Sequence, residues 1–183
     1  MLDDPHPSPA GTAPSWQTHF AALAAYHLWA LERLYEHIDR LPEDDYKRGA
    51  GLFFKSVHGT LNHLLVAEHR VWYPRFADGT SNRVELNAEL EADRAALRKR
   101  LLAAAAQWQP RIASWPSARF DGRLDYTTTR GVAQSLPFAL TLAHVFNHGT
   151  HHRGQISAAL TAMGHQCPEL DLVWMLQAQG RSE

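Results

Sequence analysis

Between residues 15 and 41 apolar side chains recur at helical spacing, with Phe20, Leu23, Ala24, Leu28, Leu31, Leu34, Tyr35 and Ile38 on one face. Ser15 is a good N-cap and Leu41-Pro42 ends the run, so the pattern predicts a long amphipathic first helix. PEDDYKRGAGLFF follows; its charges and two glycines read as a loop. A second helix is predicted from Ser56, another capping residue, to about residue 76, with Pro74 at its frayed end. After the turn-rich ADGTSNRV a third helix is predicted over about 87–114, where ELEADRAALRKRLLAAAAQW is strongly helix-forming and Pro110 should kink or end it early. Residues 119–135 change character: Tyr and Thr favour strand and two turn dipeptides, Asp121-Gly122 and Arg130-Gly131, punctuate them, predicting a short hairpin or extended loop. Ser135 and Pro137 open a fourth long helix that Gly164 closes, and Pro168 starts a short terminal one over ELDLVWMLQ. The expected fold class is all-α, a four-helix bundle with the hairpin or loop before its fourth helix.

Composition adds boundaries. Residues 1–14 are rich in Pro, Gly, Ser and Ala and read as a flexible leader, leaving 15–183 as one domain. Lys plus Arg is 18 against 19 for Asp plus Glu, a balance that argues against phosphate neutralisation on nucleic acid or membrane as the main task. No apolar run approaches the roughly 20 residues that span a bilayer. The first residues lack the basic and apolar regions of a secretory signal, and a single cysteine, Cys167, suits a reducing cytoplasm. Cys167 has no nearby base in sequence, and the six tryptophans read as core and loop anchors. No Gly-rich phosphate cradle, nucleophile elbow or Cys-x-x-Cys pattern is present.

The chain's unusual feature is 12 histidines, four of them within LAHVFNHGTHHRGQI. Two histidines at i and i+4 can direct ring nitrogens at one metal ion. On an ideal wheel His152 lies about 50° and His148 about 90° from the centre of the apolar stripe, while His144 and His151 lie about 130° and 150° away. The wheel therefore selects His148 and His152. His151 and Arg153 read as a solvated face, and His19, His27, His37, His69 and His165 as ordinary residues without a constellation. A third ligand should come from a facing helix, where SVHGTLNHLLVAEHRVWYPRF offers His58, His63 and His69. The apolar stripe there favours His58 as the inward residue, whereas a groove between helices would accept His63 beside Gly59, Thr60 and Ala67; periodicity leaves both open. Gln155 and Asn147 are candidates to hydrogen-bond a ligand or bound water. Glu68 falls in the middle of an apolar stripe, which predicts a buried, partnered carboxylate more readily than a general base.

NHGTHHRGQ in one helix, with GTLNHLLVAEHRVW in an earlier one, resembles the DinB family, or DinB/YfiT-like superfamily. The likeness runs from about Trp16 to Trp174 and includes the PELDL segment. It implies an up-down-down-up bundle holding a divalent metal between helices. The histidines of HGTHH that match the family's HxxxH pair are His148 and His152, and that of LNHL matches the third ligand, His63 rather than His58. Imidazole suits Zn²⁺ by default, with Ni²⁺ and Fe²⁺ as alternatives. The resemblance further implies a thiol-dependent S-transferase acting on small electrophiles; the alternatives are a metal-dependent hydrolase and a non-catalytic metal-binding stress-response protein. The implied partners are a small-molecule substrate and a low-molecular-weight thiol, with neither nucleic acid nor membrane. Unbroken apolar stripes are compatible with a homodimer. The catalytic residues are left unassigned.

Overall fold

The computed structural model describes residues 15–128 and 130–180; the expected leader over 1–14 lies outside the described residues. Helix α1 spans Trp16–Ile38, and the Ser15 side chain accepts from Thr18 N as the predicted N-cap. Its buried face repeats Phe20, Ala24, His27, Leu31, Leu34 and Ile38, the alternating three- and four-residue spacing of an inward stripe. Part of the expected loop is helical: α2 (Glu43–Lys47) forms because Pro42 precedes three acidic residues at its N-terminus and Tyr46 buries itself in the core.

The predicted second helix is continuous but not uniform. It opens as α3 (Val57–Leu64), capped by Ser56 on Gly59 N, widens into a π-helix (Leu65–Trp72), and closes as α4 (Tyr73–Asp78), where Pro74 sits in the first turn. The third helix differs from expectation at both ends. It begins only at Arg94, where the Asp93 carboxylate caps Ala96 N at 2.7 Å. The preceding segment is held extended because the Asn62 side chain takes Leu90 N and Glu91 N at 2.9 and 3.0 Å, bonds a helix would need for itself. The chain then breaks between α5 (Arg94–Ala105) and α6 (Trp108–Ser114). Pro110 does not cause that break; it lies inside the first turn of α6, where a missing N–H costs no helical bond.

A 3₁₀ turn (Ser117–Asp121) leads into the expected hairpin, with β1 (Arg123–Thr127) antiparallel to β2 (Ala133–Pro137) and Leu124 opposite Leu136. Helix α7 (Phe138–Ala162) follows at once. Gly164, at φ +81°, ends it as predicted, with His165 N returning to Leu160 O at 2.9 Å. The terminal helix α8 starts later than expected, at Leu172, and runs to Gly180.

The fold is mostly helical with one small sheet, and its interior holds two main apolar clusters. One joins Leu31, Leu34, Leu61, Leu97, Ile156 and Leu160; the other is aromatic, built on Phe20, Phe76, Trp108, Phe138 and Phe146. Along α1, His27 falls between Ala24 of the aromatic cluster and Leu31 of the aliphatic one. Along α7, Gly149 and Arg153 fall between Phe146 and Ile156 in the same way. A polar layer thus interrupts the core. No described helix is long and apolar enough to cross a membrane.

Candidate metal centre

Helices α3 and α7 face one another across this layer. His63 comes from the last turn of α3, and His148 and His152 from successive turns of α7, one turn apart along its axis. The Nε2 atom of His148 lies 3.1 Å from Nε2 of His63 and 3.1 Å from Nε2 of His152. Three ring nitrogens, one from each residue, all fall within 4.8 Å of one another. The three residues selected by resemblance are therefore brought together. A cation with bonds of about 2.0–2.1 Å to nitrogen sets its ligand atoms roughly 3.0–3.4 Å apart, so the observed spacing fits.

The hydrogen bonds on the far side of each ring decide what the near side offers. His63 Nδ1 donates to Leu86 O at 2.7 Å, and His152 Nδ1 donates to Gln155 Oε1 at 2.7 Å. His148 Nδ1 faces Glu68 Oε1 at 3.5 Å. The proton on Nδ1 of His63 and of His152 leaves a lone pair on each Nε2, and His148 in the same tautomer would present a third. Three lone pairs aimed at a common point repel unless a cation or protons sit between them. Protons are disfavoured, because burial, with the neighbouring His148, lowers His63 and His152 to about 4. The donor set fits a borderline divalent metal with an open coordination position.

His58 is buried too but is not free to ligate. Asn62 Nδ2 donates to its Nε2 at 3.2 Å, and its Nδ1 meets Tyr46 Oη at 3.2 Å. The wheel's preference for His58 assumed 100° per residue throughout. The wider i→i+5 turns after Leu64 rotate the later apolar residues and displace the apparent stripe. His144 is exposed and packs edge-on against Trp72, and His151 is exposed as expected. Phe54 stacks on His63 with ring centroids 3.6 Å apart and covers its outer face. That placement needs Gly59, since a Cβ there would collide with the Phe54 carbonyl oxygen. Lys55, the next residue, holds a left-handed φ of +71°. On the other side of this wall lies a cavity of about 1090 Å³ lined by Phe54, Asn62 and Leu86 and by both basic and acidic side chains, Lys55 and Arg83 with Glu85 and Glu89; none of His63, His148 and His152 lines it.

A second polar group lies behind the first, formed by His27, Glu68 and His69. Glu68 is fully buried and partnered, as its position in an apolar stripe predicts. His27 Nε2 approaches its Oε2 at 3.1 Å and His69 Nε2 at 3.8 Å. Burial alone would raise the Glu68 carboxyl, but the adjacent His27 and the contacts from His148 hold it below the usual carboxylate range. His69 is lowered to about 4 by burial, against the pull of Glu68.

The solvated reading of Arg153 is overturned: it is only 1% exposed, with Nη1 2.8 Å from His27 Nδ1 and its guanidinium 5.2 Å from the Tyr26 ring centroid. Its wheel position, about 50° from the apolar centre on the side opposite His152, carried that signal. His27, spaced between Ala24 and Leu31 on the inward stripe, carried it too, and neither it nor His69 is ordinary. His19, His37 and His165 stand outside both groups.

A helical scaffold that gathers three histidines from two helices, backed by a buried carboxylate, defines the class. The chain belongs to the DinB family, whose model matches residues 16–183. A DinB-like protein of known crystal structure from Bacillus cereus ATCC 10987 shares 14% identity and superposes with a TM-score of 0.55 over 84% of this chain and 94% of that one, a likeness of fold. Comparison with curated proteins yields no match.

Proposed function

We propose that this protein is a mononuclear metal-dependent enzyme that binds one divalent cation through His63, His148 and His152 and joins a low-molecular-weight thiol to a small electrophile. Around that centre, α1, the α3–π–α4 rod, α5–α6 and α7 are read as a four-helix bundle with up-down-down-up connectivity. The observation that carries the metal is the convergence of three Nε2 atoms, two of them on rings whose Nδ1 is hydrogen-bonded to an acceptor and the third on a ring whose Nδ1 lies 3.5 Å from Glu68. A cation held by neutral imidazoles, Zn²⁺ by default and Ni²⁺ or Fe²⁺ otherwise, lowers the pKa of a bound thiol or water and supplies a nucleophile near neutral pH. The chain's own contribution is positional. Phe54 shields one face of His63 from water, Leu86 O and Gln155 hold two rings in register, and the adjoining cavity is of small-molecule size.

Elemental analysis of the purified protein should give one metal per chain, lost in His148→Ala and retained in His58→Ala. The metal-loaded protein should consume thiol in the presence of an electrophile such as a haloarene or epoxide. Product formed without thiol would instead identify a hydrolase, and metal without turnover a passive binder.

A further inference from the structure

We infer that Arg153, His27 and Glu68 form a buried relay that fixes the tautomer and orientation of His148, and that this second histidine–carboxylate group is not itself a metal site. The inference rests on the reading of His148 as a ligand.

The hydrogen-bond roles follow from one residue that has no choice. Arginine only donates, so Nη1 of Arg153, 2.8 Å from His27 Nδ1, makes that nitrogen an acceptor. A neutral His27 then carries its proton on Nε2, which lies 3.1 Å from Glu68 Oε2 without the alignment of a full hydrogen bond. Oε1 is the oxygen turned toward His148, 3.5 Å from its Nδ1 and a few tenths of an ångström beyond a full hydrogen bond. By hydrogen-bond geometry neither Glu68 oxygen, nor His27 Nε2, nor His148 Nδ1 bonds to any described group, so the approaches at 3.1 and 3.5 Å are close contacts among buried, unsatisfied polar atoms, and the nearest polar neighbour of each lies within the relay. Glu68 and His27 are 0% and 1% exposed.

Two features of the backbone border this relay. The π-helix carries Glu68 in its fourth position. Gly149 opens the facing surface of α7: a Cβ there would stand 2.8 Å from Glu68 Oε1, 3.0 Å from Arg153 Nη1 and 3.0 Å from His27 Cε1. The same arrangement argues against a cation among His27, Glu68 and His69. One nitrogen of His27 is taken by Arg153, the other is protonated, and a fixed guanidinium charge lies alongside.

Nitrogen-15 two-bond spectra of the metal-free full-length protein, assigned with His27→Gln and His148→Gln, test this without loading the site. His27 should be the Nε2–H tautomer and His148 the Nδ1–H tautomer; either one in the opposite form overturns the relay. In Glu68→Gln a single carbonyl oxygen must serve both rings, so His148 should lose its fixed tautomer and metal affinity, read by competition with a chromophoric chelator, should fall about 10–100-fold. The visible spectrum of the Co²⁺ form should change with it. Unaltered tautomer, affinity and spectrum in Glu68→Gln would overturn the relay while leaving the metal reading intact. A wild-type protein that binds no metal would sink the metal reading and still leave the tautomers to judge the relay. Two metals per chain, reduced to one by His69→Ala, would also overturn it.

Discussion

At the scale of single residues, the most constrained position on α7 is a glycine. Gly149 lies against Glu68, Arg153 and His27, all within about 3 Å of where a side chain would begin. All three partners are buried, and their side-chain ends would have to shift to admit a methyl group. Gly149→Ala is therefore expected to destabilise the protein by about 1–3 kcal/mol, the usual cost of overfilling a packed interior, even though alanine favours helix. Chemical denaturation of the metal-free protein measures it, and a stabilised variant would contradict the packing described for this layer. Arg153 shows what the sequence held and ordinary expectation obscured. It stands as near the apolar centre as His152 does, on the other side, yet arginine is so seldom buried that charge outweighs geometry in reading it.

Among the elements, the connection between α4 and α5 depends on one side chain. Asn62 is buried, accepts from Leu90 N and Glu91 N, and donates to Glu91 O at 3.0 Å, so it splints 90–91 to α3. A few residues before that splint, Leu86 O receives the proton of His63. Asn62→Ala should cost about 1–3 kcal/mol through unsatisfied buried donors. It should also raise hydrogen exchange across 86–91 and weaken metal retention without touching a ligand. Unchanged exchange in that segment would separate Asn62 from His63. Helices with a clear apolar repeat, α1 and α7, were legible because burial alone fixes them. The delayed start of α5 was not, since it arises from a contact between segments far apart in sequence, and the widening after Leu64 has no local signal in the apolar repeat. Propensity favoured helix over 87–93, and a distant asparagine overrode it.

For the molecule as a whole, the placement of the histidines sets its response to acid. His63, His69 and His152 stand at about 4 in the folded, metal-free protein, against 6.5 for an unperturbed histidine. Between those values the unfolded chain binds more protons than the folded one. The stabilisation these groups contribute is complete above about pH 6.5, declines as pH falls, and is lost by about pH 4. Thermal melts of chelator-treated protein from pH 7.5 to 4 should show the melting temperature falling through this window, and a level profile would contradict the burial of these rings. The helical class, the hairpin and the meeting of His63, His148 and His152 could all be anticipated from spacing and resemblance together. The inner polar layer could not, because its members come from α1, the π-helix and α7 and share no local motif.

The widened turn after Leu64 also sets a rule for comparing related chains. A homologue one residue shorter within 65–72 would revert to ordinary helical pitch, and its carboxylate would swing by more than a quarter of a revolution away from the ring it braces. Such a chain could retain all three imidazoles and still lack the support behind them. The number of residues in that stretch, counted before any identity is scored, therefore separates proteins able to build the inner layer from those that share only the outer three.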